Sequence, residues 1–457
     1  MKRMVTIGCF LIASLVMQNT CLAKEFRINY DIKNKQVNVG QDGKKDEIEF
    51  RSKTTVCLTD RYFSVIDGPV RSIYDFEKLR ITFINDQTKE YSDLSLFSIV
   101  GFRGMEFQNR LLLADIFNKA LNKSAETSGQ GKRVYDIETL FAIEKPGSEK
   151  IKISEKTNNN RLTYEFENEP VVECLLSNTA LSGAQKQLFE RYLIYCCFMH
   201  PQVRRSIMAK DKLPRYLKYM IKGEAGEVTT VEMTLARAGY EDIDSRVIPP
   251  DYKRVYKTSS EELNPIVTTV MEKTNPIKRL EPADYIVMAK DLTNKKSYFD
   301  ANLALLECGL QTGENMNKEI KAVMDAGGKD DFRTTAFFNA AKTIDKETTE
   351  KNQRILENIK RDGLTRGHVI DIMIADNKMF SQDMAEAQRM FLSVLKINPY
   401  IAGVYNDLGD TYVSSYDTFS GWQCWDTARF LCPNHPMLVQ ITEYENRLKA
   451  NYSDFFL

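Results

Sequence analysis

From Lys24 to about Lys257 apolar and polar positions tend to alternate one for one. Leu79, Ile81 and Phe83 alternate with Arg80, Thr82 and Ile84, and Leu162, Tyr164 and Phe166 alternate with Arg161, Thr163 and Glu165. A period of two puts one set of side chains on each face of a pleated strand, so these runs predict half-buried antiparallel strands. Further strands are expected near 26–30, 47–58, 62–66, 216–222 and 228–237. Asn158-Asn159-Asn160 separates the pair Ile151 and Ile153 from the 161–166 run and predicts a hairpin loop, because Asn tolerates the backbone of tight turns. Pro146-Gly147 predicts another turn. Two helices are expected inside this region, at 107–121 and 184–209.

After Lys257 alternation stops and helical spacing runs almost to the end of the chain. Pro265, Pro276 and Pro282 punctuate the change. The expected fold class is therefore α+β. An antiparallel β-rich domain with crossing helices occupies 24–257, a connector 258–281, and an all-α domain 282–457.

The helical part repeats every 34 residues. Tyr405, Leu408, Gly409 and Tyr412 are followed by Gly421, Trp425, Ala428 and Pro433, and 34 residues earlier stand Asp371, Ile374, Ala375 and Lys378, then Ala387, Phe391, Val394 and Pro399. A third copy runs through Tyr285, Met288, Ala289 and Leu292, then Ala301, Leu305 and Cys308, with Gly313 in place of Pro. Helices are also expected at 329–344 and 347–361, and a polar capping helix at 437–452. This order of large, small and proline positions resembles the tetratricopeptide repeat, in which small residues let two antiparallel helices approach and large ones fill the gap between repeats. The resemblance implies that the first helix of each pair lines a concave groove that binds a segment of a partner protein. Carried onto this chain, the groove positions are Asp376 and Met379 in one copy and Asn406, Asp410 and Val413 in the next. No paired Lys and Asn stand there, so capture of a C-terminal carboxylate is not expected.

The N-terminus adds a compartment. Lys2 and Arg3, an apolar run from Met4 to Met17, and Cys21-Leu22-Ala23 together predict a signal peptide of bacterial type, with cleavage after Ala23. The run is too short to span a bilayer, and no later segment approaches that length, so no transmembrane span is expected in the mature chain. Seven cysteines follow the signal with no C-x-x-C pair, which excludes a zinc ribbon or a thioredoxin-like dithiol and leaves most of them as small apolar core residues.

The 457 residues carry 63 basic and 63 acidic side chains, so a strongly basic nucleic-acid binder is excluded. The balance is uneven along the chain. Residues 24–257 hold 38 basic and 34 acidic groups, and residues 258–457 hold 23 and 29. The stretch 186–222 has nine basic residues against two acidic, which suits docking on an acidic helical surface or on an anionic envelope surface.

Catalytic signatures are missing. The sequence has only three histidines and no H-E-x-x-H, no G-x-S-x-G and no calcium loop, and Gly327-Gly328-Lys329 continues with Asp330 where a phosphate loop needs Ser or Thr. No cofactor and no metal are expected. Cys197 and His200, three apart on one expected helix, could face each other as a thiol–imidazole pair. The functional expectation is a non-enzymatic, exported protein-interaction adaptor of the cell envelope. Two alternatives stand beside it. One is a carrier of a lipid or other apolar ligand, with Phe63, Phe83, Phe97, Tyr164 and Phe166 lining a pocket in the sheet. The other is a carboxylate-dependent hydrolase.

Overall fold

A computed structural model describes residues 23–39, 45–120, 127–146, 151–222, 227–243, 248–341, 346–360 and 364–456. The expected signal segment up to residue 22 and Gly147 of the Pro146-Gly147 turn lie outside the described residues. The fold is α+β, with an antiparallel sheet toward the N-terminus and helices toward the C-terminus.

Twelve strands are described: β1 Ala23–Val39, β2 Lys45–Leu58, β3 Tyr62–Asp67, β4 Val70–Asp75, β5 Arg80–Asn85, β6 Glu90–Ser95, β7 Ile153–Asn158, β8 Arg161–Phe166, β9 Glu169–Ala180, β10 Lys212–Lys222, β11 Val228–Ile243 and β12 Lys253–Arg254. They form one sheet in the order β12-β6-β5-β4-β3-β2-β1-β11-β10-β9-β8-β7. Two meanders thus meet where β1 pairs antiparallel with β11, Phe26 opposite Tyr240 and Val37 opposite Val228. The Asn cluster closes the β7–β8 hairpin: Asn158 pairs with Arg161, and Asn159 takes the left-handed turn at φ 53°. Leu162, Tyr164 and Phe166 are buried as their alternation requires. The 79–84 run behaves differently. Leu79 lies in the turn before β5 at φ 55°, and Ile81 and Ile84 are the buried positions, with Phe83 only half-buried.

The helices are α1 Leu96–Ala120, α2 Thr127–Phe141, α3 Gly183–Cys196, α4 Pro201–Met208, α5 Leu263–Met271, α6 Pro282–Asn294, α7 Tyr298–Thr312, α8 Asn317–Asp325, α9 Phe332–Ala340, α10 Lys346–Lys360, α11 Gly367–Phe380, α12 Met384–Ile397, α13 Ala402–Ser414, α14 Thr418–Leu431 and α15 Leu438–Asn451. Three differences from the sequence reading have physical causes. α1 begins eleven residues before the expected 107, through Gly101 and Gly104, which are poor helix formers. Their missing side chains make room for rings, since a Cβ on Gly101 would lie 2.7 Å from the Trp422 ring and one on Gly104 2.7 Å from that of Tyr452. The expected helix 184–209 is two helices, because Pro201 starts a new one at its first position and the His200 imidazole caps it, Nδ1 accepting from the Gln202 amide at 3.2 Å. α2 was not anticipated, because its sequence is polar and carries two glycines.

The chain divides into two compact units: residues 1–78, 82–91 and 110–253, and residues 79–81, 92–109 and 254–457. In the first, the core is aromatic. Phe63 stacks on Tyr74 at 4.4 Å and meets Tyr192 of α3 edge-on at 6.1 Å, and Phe166 stacks on Tyr135 at 4.5 Å. Phe63, Tyr164 and Phe166 are buried against protein rather than lining a void. In the second unit Phe97 is buried and packs on Phe456. The seven cysteines beyond residue 23 are free thiols.

In the second unit, α6–α7, α11–α12 and α13–α14 form three helix pairs joined the same way. Each first helix ends with a left-handed residue, Lys296, Gln382 or Tyr416, at φ 61–65°. The next amide in each reaches back five residues, Ser297 to Leu292, Asp383 to Lys378 and Asp417 to Tyr412, all at 2.9 Å. That two-bond closure satisfies carbonyls the helix end leaves open. Asp383 and Asp417 then cap α12 and α14. Asn398 and Cys432 end those helices with bonds to Val394 and Ala428, directly before Pro399 and Pro433. Each matching pair in α11–α14 is 34 residues apart.

Candidate functional site

In the first unit His200 and Glu138 are tied up in the core. Because the His200 Nδ1 accepts from a backbone amide, Nε2 carries the proton and donates to Glu138 Oε2 at 2.8 Å. Glu138 Oε1 accepts from the Lys145 amide at 2.7 Å, both side chains are fully buried, and Tyr135 stacks on the imidazole at 5.1 Å. The expected Cys197–His200 pairing is therefore corrected. The helix breaks between them, and burial pushes the Cys197 thiol up to about 12, which keeps it protonated and unreactive.

The second unit holds two contrasting acidic centres. Around Glu307 of α7 the charge is fully paired. Arg366 bonds to it, His368 Nε2 stands at 3.2 Å, Asn398 Nδ2 donates at 2.6 Å and Tyr285 Oη at 3.3 Å. Burial pushes the Glu307 carboxylate up, but His368, Arg366 and Asn398 outweigh it and hold it below the ordinary range. This network knits α6, α7 and the start of α11 to the Asn398 turn.

The other centre is open. Asp376 of α11 and Asp407 of α13 line one cleft of about 320 Å³, together with Ala340, Leu356, Met373, Asn377, Met379 and Phe380. Phe380, at the edge of the cleft, is 70% exposed. Burial pushes the Asp376 carboxyl up to about 7. Burial raises Asp407 well above its ordinary value, the neighbouring charges of Asp376 and Asp410 add to this, and the Asn406 amide, donating at 3.1 Å, works against it. Asp410, half-buried, is raised to about 6 by burial against a 3.1 Å bond from Trp425 Nε1. Among the described residues no Lys, Arg or His forms an ion pair with Asp376, Asp407 or Asp410. No group of three His, Cys, Asp or Glu among them could hold a metal ion.

The groove positions read from the repeat separate here. Asp376 and Met379 line the cleft. Asn406 is buried beside Asp407 and orients it. Asp410 is tied to Trp425, and Val413 packs against Gly421, where a Cβ would fall 2.5 Å from its Cγ2. The repeat-packing positions Tyr405, Leu408, Tyr412, Trp425, Ala428, Ala375, Ala387 and Phe391 are buried. Asp407 and Phe380 are the site residues the sequence reading missed. The signal for Asp407 was a second acid three residues before Asp410; for Phe380 it was an aromatic in the last turn of α11.

No protein-family model and no curated protein sequence matches the chain. Among solved structures it is similar to one described as "Lipid-protein interactions in lipovitellin", with 9% identity, 95% of this chain and 55% of that chain covered, and a TM-score of 0.19. So loose a superposition says nothing about fold or ligand.

Proposed function

We propose that the chain is an exported, non-enzymatic adaptor of the cell envelope whose helical unit consists of tetratricopeptide-like hairpins and takes a segment of a partner protein in the Asp376–Asp407 cleft. The observation that carries this reading is the cleft itself: first-helix residues of two successive hairpins, Asp376 and Asp407, converge on it without an ion pair among the described residues, and Phe380 at its edge is exposed. The 34-residue recurrence of left-handed closures, caps and prolines supports the repeat assignment. The carrier alternative draws no support from Phe63, Tyr164 and Phe166, which fill a core.

Selection of displayed random peptides on the full chain, with a photo-crosslinker placed at Met379, tests the binding half. Enriched peptides that crosslink from Met379 and are lost with Phe380→Ala are expected. Failure to enrich any sequence, or crosslinks unaffected by that variant, would refute it. The export half is checked by intact mass after expression in a bacterial host, where loss of residues 1–23 is expected.

A further inference from the structure

We infer that the free edge of β2 pairs antiparallel with β2 of a second copy of this chain, about a twofold axis through Phe50. This surface lies in the first unit and is separate from the cleft.

The edge arises from the unequal reach of the neighbouring strands. β1 pairs with β2 over its whole length, from Leu58 to Lys45. β3 pairs with it only from Leu58 to Thr54. On that side the stretch Lys45–Lys53 meets no strand among the described residues. Its side chains are open to solvent: Ile48 is 48% and Phe50 51% exposed, and Glu47, Glu49, Arg51 and Lys53 are exposed as well. A strand edge offers a row of backbone N–H and C=O groups to any strand that can lie beside it. Edges that stay single are blunted by a proline, a bulge, a very short strand or charged side chains. Residues 45–53 contain no Pro and no Gly, and β1 and β2 keep one register throughout, without a bulge. Charge is the device that remains, and its order makes it a selector.

Alternation puts Glu47, Glu49, Arg51 and Lys53 on one face of β2 and Ile48, Phe50 and Ser52 on the other. On the charged face Lys33 of β1 meets Glu49 at 3.1 Å and Lys35 meets Glu47 at 2.9 Å. The edge is therefore acidic on one side of Phe50 and basic on the other. An antiparallel copy with Phe50 opposite Phe50 sets Glu49 across from Arg51 of the second copy and Glu47 across from its Lys53, and the symmetry repeats both pairs. Opposite charges meet along one face, and on the other the two phenylalanines meet at the axis. Moving the axis to Glu49 or to Arg51 would set like charges opposite each other, which is destabilising. The paired stretch ends at Lys53, the last residue before Thr54 joins β3. An unrelated strand would match this order of charges only by accident, whereas a second copy matches it by symmetry.

Sedimentation equilibrium of the full chain over a wide range of concentration tests the pairing. A mass rising from one chain to two is expected. Arg51→Glu sets acids opposite each other across the axis and is expected to move the midpoint to about tenfold higher concentration. Adding Glu49→Arg to Arg51→Glu makes the charges opposite again and is expected to bring the midpoint back. Phe50→Cys places two thiols directly across the axis, and mild oxidation is expected to join two chains; Ile48→Cys, opposite Ser52 of the second copy, is not expected to do so. A thermal melt checks that each variant is folded. A chain that stays monomeric at every concentration would overturn the inference, even if some other strand binds β2. So would a dimer that Arg51→Glu leaves unchanged, a double variant that stays as weak as the single one, or crosslinking as fast from Ile48→Cys as from Phe50→Cys.

Discussion

The indole of Trp425 packs against Gly409, so close that a Cβ built there would sit 2.4 Å from its Cδ1 and Nε1. The ring cannot swing away, because its Nε1 donates to the Asn406 carbonyl at 3.2 Å and to Asp410 at 3.1 Å. Gly409→Ala gains helix propensity but forces the α13–α14 pair apart. Urea unfolding is expected to show a net loss of about 1–3 kcal/mol, the usual cost of overpacking. No change, or a gain, would mean that the contact relaxes freely.

The left-handed closures carry the opposite sign. Gln382 holds φ 63° with an ordinary side chain, a conformation that costs a non-glycine residue roughly 1 kcal/mol. Gln382→Gly relieves that cost and adds some unfolded-state entropy, so a net gain of about 0.5 kcal/mol is expected in the same unfolding measurement. Gln382→Val should lose stability, since a β-branched residue tolerates this backbone least.

Glu138 and His200 act as one unit in the first core. Glu138→Ala strands a buried imidazole N–H and removes the acceptor for the Lys145 amide. A loss of about 2–4 kcal/mol is expected, with His200→Ala similar and the double variant well short of the sum. Additive losses in a double-mutant cycle would show that the two do not depend on each other.

Asp376, Asp407 and Asp410 make stability depend on pH in an unusual direction. Their carboxyls are raised in the folded chain, Asp376 to about 7 and Asp410 to about 6, whereas an unfolded Asp titrates near 3.9. The folded state therefore binds more protons between these values. Their contribution is complete below about pH 4 and is lost as pH rises through 6 to 7. Asp407→Asn removes one of the facing charges, and relative to the unchanged chain its melting temperature should rise between pH 5 and pH 8, by about 2–4 °C per kcal/mol relieved. A pH-independent difference would show that the carboxylates do not face each other in solution.

Much of the fold was legible because its causes are local. Alternation at 161–166 placed a strand with the correct buried face, since pleating sends successive side chains to opposite sides. Asn158–Asn160 located a hairpin, and the 34-residue spacing of small residues and prolines located the helix pairs α11–α12 and α13–α14. The start of α1 was hidden, because Gly101 and Gly104 weaken a helix locally and are justified only by rings from residues 422 and 452. The break at Cys197–His200 had a local signal in Pro201, which the apolar residues on either side masked.

The site divides along the same line. That Asp376 and Met379 belong to a first helix follows from spacing in the sequence. Only the tertiary structure decided that Asp407, not Asn406, shares their cleft, that Asp410 turns to Trp425, and that none of Asp376, Asp407 and Asp410 forms an ion pair among the described residues. Periodicity assigns a residue to a helix face, but desolvation and Coulomb energy depend on distances between atoms far apart in the chain.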